Sequence, residues 1–242
     1  MVIEQVKTEL LAKGSPEKAA FLCRFFKIGK GQYAEGDVFV GVTNPEVRAM
    51  AKKYAHLPLT NIETLLHDPV HEIRLLALVM LVNRFEKASR KSQQVWTDNQ
   101  AIRSEIFEMY LRNLNHINNW DLVDVSCHKI VGAYLFDKDR DILYELAARP
   151  HLWAQRVAMV STFYFIQNRQ VADTYQIAET LLNHPHDLIH KAIGWMLREA
   201  GKRDEGVLEG FLQSHIRKIP RTTLRYAIEH FEETKRKHYL SL

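Results

Sequence analysis

Apolar residues recur at spacings of three and four along nearly the whole chain, and the strict alternation that marks a half-buried strand is almost missing. The pattern predicts amphipathic helices from end to end. Punctuation agrees with it. Ser15-Pro16-Glu17-Lys18 supplies an N-cap, a proline at the first helical position and a charged first turn, and Asn44-Pro45-Glu46 and Asp68-Pro69 repeat the device. Gly201 follows Arg198-Glu199-Ala200 as a helix stop. One stretch breaks the rhythm: IGKGQYAEGDVFVGV (28–42), interrupted by Gly29, Gly31, Gly36 and Gly41. It does not match the phosphate-binding P-loop and follows no strand, so it either joins helices or crosses a ligand's backbone. The expected class is all-α.

Three segments share a layout: HDPVHEIRLLALVMLVNRF (67–85), ARPHLWAQRVAMVSTFYFI (148–166) and NHPHDLIHKAIGWMLREAG (183–201). Each runs from a proline through five or six residues to a basic residue (Arg74, Arg156, Lys191) and then a long apolar helix. Lys191 lies 35 residues beyond Arg156 (191 − 156), and Arg156 lies 82 beyond Arg74 (156 − 74), close to two units of about 41. Residues 117–136 form a further unit. Helix-pair repeats of this length signal a HEAT-like solenoid, so 1–242 is read as a single helical-repeat domain with a concave basic groove. A non-repeating bundle also satisfies the periodicity. In a solenoid, Arg74, Arg156 and Lys191 fall at similar heights and form a stripe that would follow a phosphate backbone; otherwise they cap or solvate helix ends.

Composition narrows this only a little. The 242 residues are 46% hydrophobic and 26% charged, with a net charge of +4 and 12 histidines, which permits a polyanionic partner without requiring one. Cys23 and Cys127 sit in apolar helical contexts with no metal-ligand spacing, and the histidines near helix starts pair with no cysteine or carboxylate at such spacing. No metal and no cofactor is expected. The N-terminus lacks a signal-peptide pattern and no apolar run reaches the ~20 residues of a membrane span, so a cytoplasmic protein is expected.

Two stretches resist a packing explanation. In INNWDLVDVS (117–126), Asn118 or Asn119 is a good N-cap and Asp121 falls in the first turn, where the helix dipole favours a carboxylate. Asp124 lies one turn further in, on one face with Trp120 and His128, while Leu122, Val123, Ile130 and Val131 supply the core face. An outward tryptophan beside an aspartate is a reasonable ligand-facing choice. In KAIGWMLREAG (191–201), Gly194 costs roughly 1 kcal/mol against alanine in a helix interior and admits a close neighbour, either another helix or a ligand. Trp195 and Arg198 share a face there.

NNWDLVD, LWAQRVAM and HKAIGWMLREAGK resemble, in order and spacing, the motifs of the DNA alkylation repair glycosylases built from HEAT-like repeats, the AlkD family. FFKIGKGQYAEGDVFVGVTNPEVRAMAKKY (25–54) is similar to that family's N-terminal region, so the resemblance spans roughly residues 15–215. It implies hydrolysis of the N-glycosidic bond of N3- and N7-alkylpurines in duplex DNA; a monomer is the simplest reading for a solenoid acting on one lesion. Asp124 would be the catalytic aspartate, Trp120 and Trp195 the tryptophans at the lesion and sugar, and Arg156 the groove arginine. The basic stripe adds Arg74 and Lys191, and the face shared with Trp195 adds Arg198, as further candidate phosphate contacts. The family's N-terminal aromatic, often tyrosine, has Phe25 and Phe26 as its nearest counterparts.

The chemistry of the residues agrees with these roles. A 3- or 7-alkylpurine is already cationic and leaves readily; an ionised carboxylate stabilises the developing positive sugar and assists capture by water. Indole faces attract cations at roughly 0.5–2 kcal/mol each. An open groove offers no closed pocket, so recognition by charge and backbone contact is expected in place of shape. Two other classes satisfy the same sequence: a non-catalytic DNA-binding HEAT protein and a protein-binding scaffold.

Overall fold

The computed structural model describes residues 2–89 and 96–242. Among them every extended element is a helix, apart from a single parallel bridge between Val38 and Val70. The chain divides into two compact units, Met1–Ser126 and Cys127–Leu242. The first contains α1 (Val2–Leu11), α2 (Pro16–Phe25), α3 (Asn44–Lys53), α4 (Leu59–Leu66), α5 (His71–Ala88), α6 (Trp96–Arg112) and α7, which begins at Trp120 and runs to Cys127. The second opens on a π-helical turn, His128–Gly132. It continues with α8 (Ala133–Leu135), α9 (Asp141–Ala148), α10 (Leu152–Gln167), α11 (Ala172–Leu181), α12 (Asp187–Gly201), α13 (Glu205–His215), α14 (Arg221–Ala227) and α15 (Glu233–Ser241).

The sequence punctuation holds, with small shifts. Ser15 caps α2, its Oγ accepting from the Lys18 N–H at 3.4 Å. The cap of α3 is Thr43, one residue before the expected Asn44; the Glu46 carboxylate accepts from the Thr43 N–H (3.0 Å) and hydroxyl (2.7 Å). Asp68 precedes α5 by an Asx turn, accepting from the Val70 N–H at 2.9 Å, so the helix starts at His71. Gly201 is the last residue of α12, where Leu208 packs so closely that a Cβ would lie 2.3 Å from its Cδ2.

In the first unit α5 is the central helix, packed by α3, α4 and α6 and buried on all sides from Ile73 to Val82. A helix surrounded in this way needs apolar residues all round rather than on one stripe. Polar residues at its start must therefore find internal partners. In the second unit α10 packs against α9, α11 and α12, and α12 against α11, α13 and α14. The helices α10, α12 and α14 begin about 35 residues apart, the stacking of one helix-pair repeat on the next. Among the described residues no helix is long and apolar enough to cross a membrane.

Candidate functional site

The start of α7 is built from side chains far apart in the chain. Asn119 is fully buried; its Oδ1 accepts from the Trp120 N–H at 2.8 Å and its carbonyl from the Val123 N–H at 3.1 Å, so it is the N-cap. Its Nδ2 donates to Asp37 Oδ2 at 3.0 Å. Asp37 arrives on the glycine-rich loop, where Gly31, Gly36 and Gly41 take positive φ. It also accepts from Arg74 Nη2 at 2.5 Å and from His71 Nδ1 at 3.3 Å. The other face of the imidazole reaches forward, His71 Nε2 lying 2.8 Å from Asp121 Oδ2. The result is a chain of charges, Arg74–Asp37–His71–Asp121, that fixes the first turn of α5 to the first turn of α7.

Burial is the largest influence on His71 and opposes its charge, but hydrogen bonds to Asp121 and Asp37 outweigh it and raise the pKa to about 9. His71 is therefore an imidazolium at neutral pH, donating through both nitrogens. Burial likewise works against the Asp37 charge, and His71, Arg74 and Asn119 together still hold its carboxyl below the usual range. Three buried groups that would each be costly alone are stable as a set.

In front of this network is a cavity of about 460 Å³ formed entirely within the first unit. Its walls are largely apolar and include the rings of Phe21, Phe25, Phe26, Phe39 and Trp120, and its polar groups include His71, Glu72 and Asp121. Phe26 and Phe39 stack at 5.0 Å, and Trp120 lies 5.4 Å from Phe26 and 6.0 Å from Phe25. The Trp120 Nε1 donates to the Tyr33 hydroxyl at 3.3 Å. A smaller recess of about 90 Å³ shares Asn44, Leu75 and Asp121 and reaches Val125. The glycine-rich loop folds over α5 and brings Phe39 and Gly41 to wall this cavity, whose lining from α7 is Trp120 and Asp121 and not Asp124.

The sequence-predicted residues take different positions. Trp120 and Asp124 are both half-buried on α7, so the aspartate is not sealed in the core; Trp120 lines the cavity, and among the two sets of lining residues the carboxylate from α7 is Asp121. The π-helical turn follows directly, a wide geometry that recurs near functional sites. In the second unit Trp195 is half-buried on α12, its ring 5.7 Å from Phe163. Gly194 meets a helix: a Cβ there would lie 2.5 Å from Tyr226 Cβ and 2.6 Å from the Thr223 carbonyl of α14.

The basic residues require correction. Arg74 is only 4% exposed, and besides Asp37 it donates to Asn118 and to the carbonyls of Asp68 and Pro69. Arg156 is 5% exposed, its Nη1 donating to the Leu188 carbonyl at 2.5 Å. Each sits where an apolar helix begins, and its guanidinium is buried and bonded to carbonyls of its own chain rather than standing free on a surface stripe. Lys191 and Arg198 are nearer the surface, in ion pairs with Asp187 (2.8 Å) and with Glu199 and Glu229 respectively. Among the described residues no group of three or more His, Cys, Asp or Glu side chains is placed to hold a metal ion.

The family model of the DNA alkylation repair enzymes matches residues 6–231. The chain belongs to that family. A solved structure described as a predicted DNA alkylation repair enzyme from Enterococcus faecalis shares the fold at a TM-score of 0.65, with 18% identity over 91% of this chain and 98% of that one. No curated protein matches.

Within this member of the DNA alkylation repair enzymes, sequence reasoning passed over Asp37, His71 and Glu72. None of the three was singled out by spacing or motif. The available signal was the density of charge in DPVHEIR directly before the unbroken apolar run Leu75–Val82: buried charges must be paired, and pairing points to a site.

Proposed function

We propose that the protein is a monofunctional DNA glycosylase that hydrolyses the N-glycosidic bond of cationic N3- and N7-alkylpurines in duplex DNA, as a monomer and without a cofactor. The observation that supports this most is the family match over residues 6–231 together with a helix that carries Trp120 and Asp124 one turn apart, both half-buried. In this reading the Asp124 carboxylate faces the deoxyribose as the base departs. It stabilises the oxocarbenium-like sugar and steers a water onto it. The base leaves as a neutral molecule because it was cationic beforehand, so no strong acid is required. Trp120 and Trp195 favour a positively charged nucleotide over a neutral one. Lys191 and Arg198 contact phosphates by exchanging their carboxylate partners for the DNA backbone, which fixes register without reading sequence.

The test is release of alkylated bases from methylated duplex DNA by the wild-type protein and by Asp124→Asn. Loss of one such electrostatic group typically costs about 100- to 1,000-fold in rate, so release should fall by that order while DNA affinity is kept. Equal release by both proteins would remove Asp124 from the mechanism. Absence of release by the wild type, with DNA binding intact, would favour a non-catalytic DNA-binding protein.

A further inference from the structure

Helix N-caps are ordinarily serine, threonine, aspartate or asparagine, yet α10 and α12, the long helices of the second unit, both begin on histidine. Pro150-His151 precedes α10 and Pro185-His186 precedes α12, one repeat apart (186 − 151 = 35). The His151 Nδ1 accepts from the Ala154 N–H and the His186 Nδ1 from the Leu188 N–H, each at 3.1 Å. One repeat further on (221 − 186 = 35) the position holds Arg221, and α14 starts without a side-chain cap.

At α12 the arrangement is doubled. In NHPHDLIHK (183–191) the His184 Nδ1 accepts from the His186 N–H at 3.0 Å, and the His190 Nε2 turns back from the helix to donate to the His184 carbonyl. A backbone N–H can only donate, so the Nδ1 atoms of His184 and His186 must be bare, and the neutral rings carry their proton on Nε2. An imidazolium donates through both nitrogens. It loses the bond, and it brings positive charge to the helix end where the dipole opposes it. The surroundings add to that opposition. Around His186 stand His184, His190 and Lys191 from its own segment and Arg156 from α10, against the carboxylate of Asp187. Asp187 is itself held by Lys191 (2.8 Å) and by the Thr222 hydroxyl of α14 (3.0 Å). Burial, the largest influence, holds both His184 and His186 below the ordinary histidine value.

We propose that the start of α12 is an acid-operated latch: neutral His184 and His186 close its first turn, and protonation of these two rings opens it. Because the folded state binds their protons less tightly, the latch contributes fully above pH 6.5 and is lost as pH falls through the lower folded values, the reverse of His71 in the first unit. Leu188, whose N–H the latch holds, offers its carbonyl to the Arg156 Nη1, so opening also loosens the tie between α10 and α12. Trp195 stands on the same helix, which brings acidity to bear on the face assigned to the lesion. That last step rests on the glycosylase reading; the latch does not.

The test is hydrogen exchange of backbone N–H groups in the full chain, taken as protection relative to the unstructured rate, at about pH 7.5 and about pH 5, on either side of the histidine range. Protection of the His186 and Leu188 N–H groups should fall on the order of 2- to 30-fold in acid, the range for losing one N-cap. Ile193–Leu197, in the buried body of α12, should keep theirs. His186→Ala should show the fall at Leu188 already at the higher pH. The double variant His184→Asn with His186→Asn, which caps without titrating, should hold its protection at both. Circular dichroism confirms that the variants fold, and nitrogen NMR of the wild-type imidazoles should find both Nδ1 atoms bare at the higher pH. Wild-type protection unchanged by acid, an equal acid loss in the asparagine double variant, or a proton on the His186 Nδ1 at the higher pH would overturn the proposal. Every readout is made on the protein alone, so failure of base release refutes the glycosylase and spares the latch.

Discussion

The imidazolium between Asp37 and Asp121 ties the stability of the first unit to pH. Folding raises the His71 pKa from its ordinary 6.5 to about 9. At about 1.4 kcal/mol per pH unit this corresponds to about 3 kcal/mol of stabilisation, and a side chain only 2% exposed needs no discount for solvent screening. Because the folded state holds the proton more tightly, the contribution is complete below pH 6.5 and is lost as pH rises through 9. The charges facing His71 are Asp37, with Arg74 behind it, and Asp121, with Glu72 on the cavity side. The suitable reference is His71→Gln, which keeps a hydrogen-bonding side chain and has nothing to titrate in this interval. Urea unfolding of both proteins across the interval should show their stability difference shrinking by about 3 kcal/mol from the acidic to the alkaline end. Imidazole resonances followed by NMR give the His71 titration directly. A flat difference, or a His71 midpoint at or below the ordinary value, would show that the two carboxylates do not hold the proton.

Asp37→Ala leaves the Arg74 and His71 charges buried without their common partner, so it should cost about 3–5 kcal/mol, read as a drop in melting temperature of roughly 6–20 °C for a chain of this size; a drop of a degree or two would refute the network. Gly194→Ala gains roughly 1 kcal/mol of helix propensity but forces its Cβ into α14, where Thr223 presents backbone. The net should be a loss of about 1–3 kcal/mol by equilibrium unfolding, and an alanine variant as stable as wild type would mean that the two helices separate freely.

Much of the molecule was legible from the order of residues alone. The three-and-four spacing determined an all-helical chain because a helix buried on one face must repeat its apolar positions at that period. Ser15, the Asn118-Asn119 pair and Asn44-Pro45-Glu46 announced helix starts because unsatisfied backbone N–H groups demand local acceptors. The recurrence of proline, basic residue and apolar helix announced the repeat, and NNWDLVD with HKAIGWMLREAGK pointed to the family that the model match over residues 6–231 then established.

Partnership over long separations was decided only by the tertiary structure. Arg74 and Arg156 read as surface cations because a basic residue at a helix start is ordinarily solvated; only packing reveals that α5 and α10 are enclosed from their first turns, so that those guanidiniums must serve Asp37 and the Leu188 carbonyl. Gly194 read equally well as a ligand contact or a helix contact until α14 lay against it. The cavity had no sequence signature at all. Its walls come from α2, the glycine-rich loop, α3, α5 and α7, each of which spaces its residues as any helix or turn would, and a void exists only where such surfaces fail to fill the space between them.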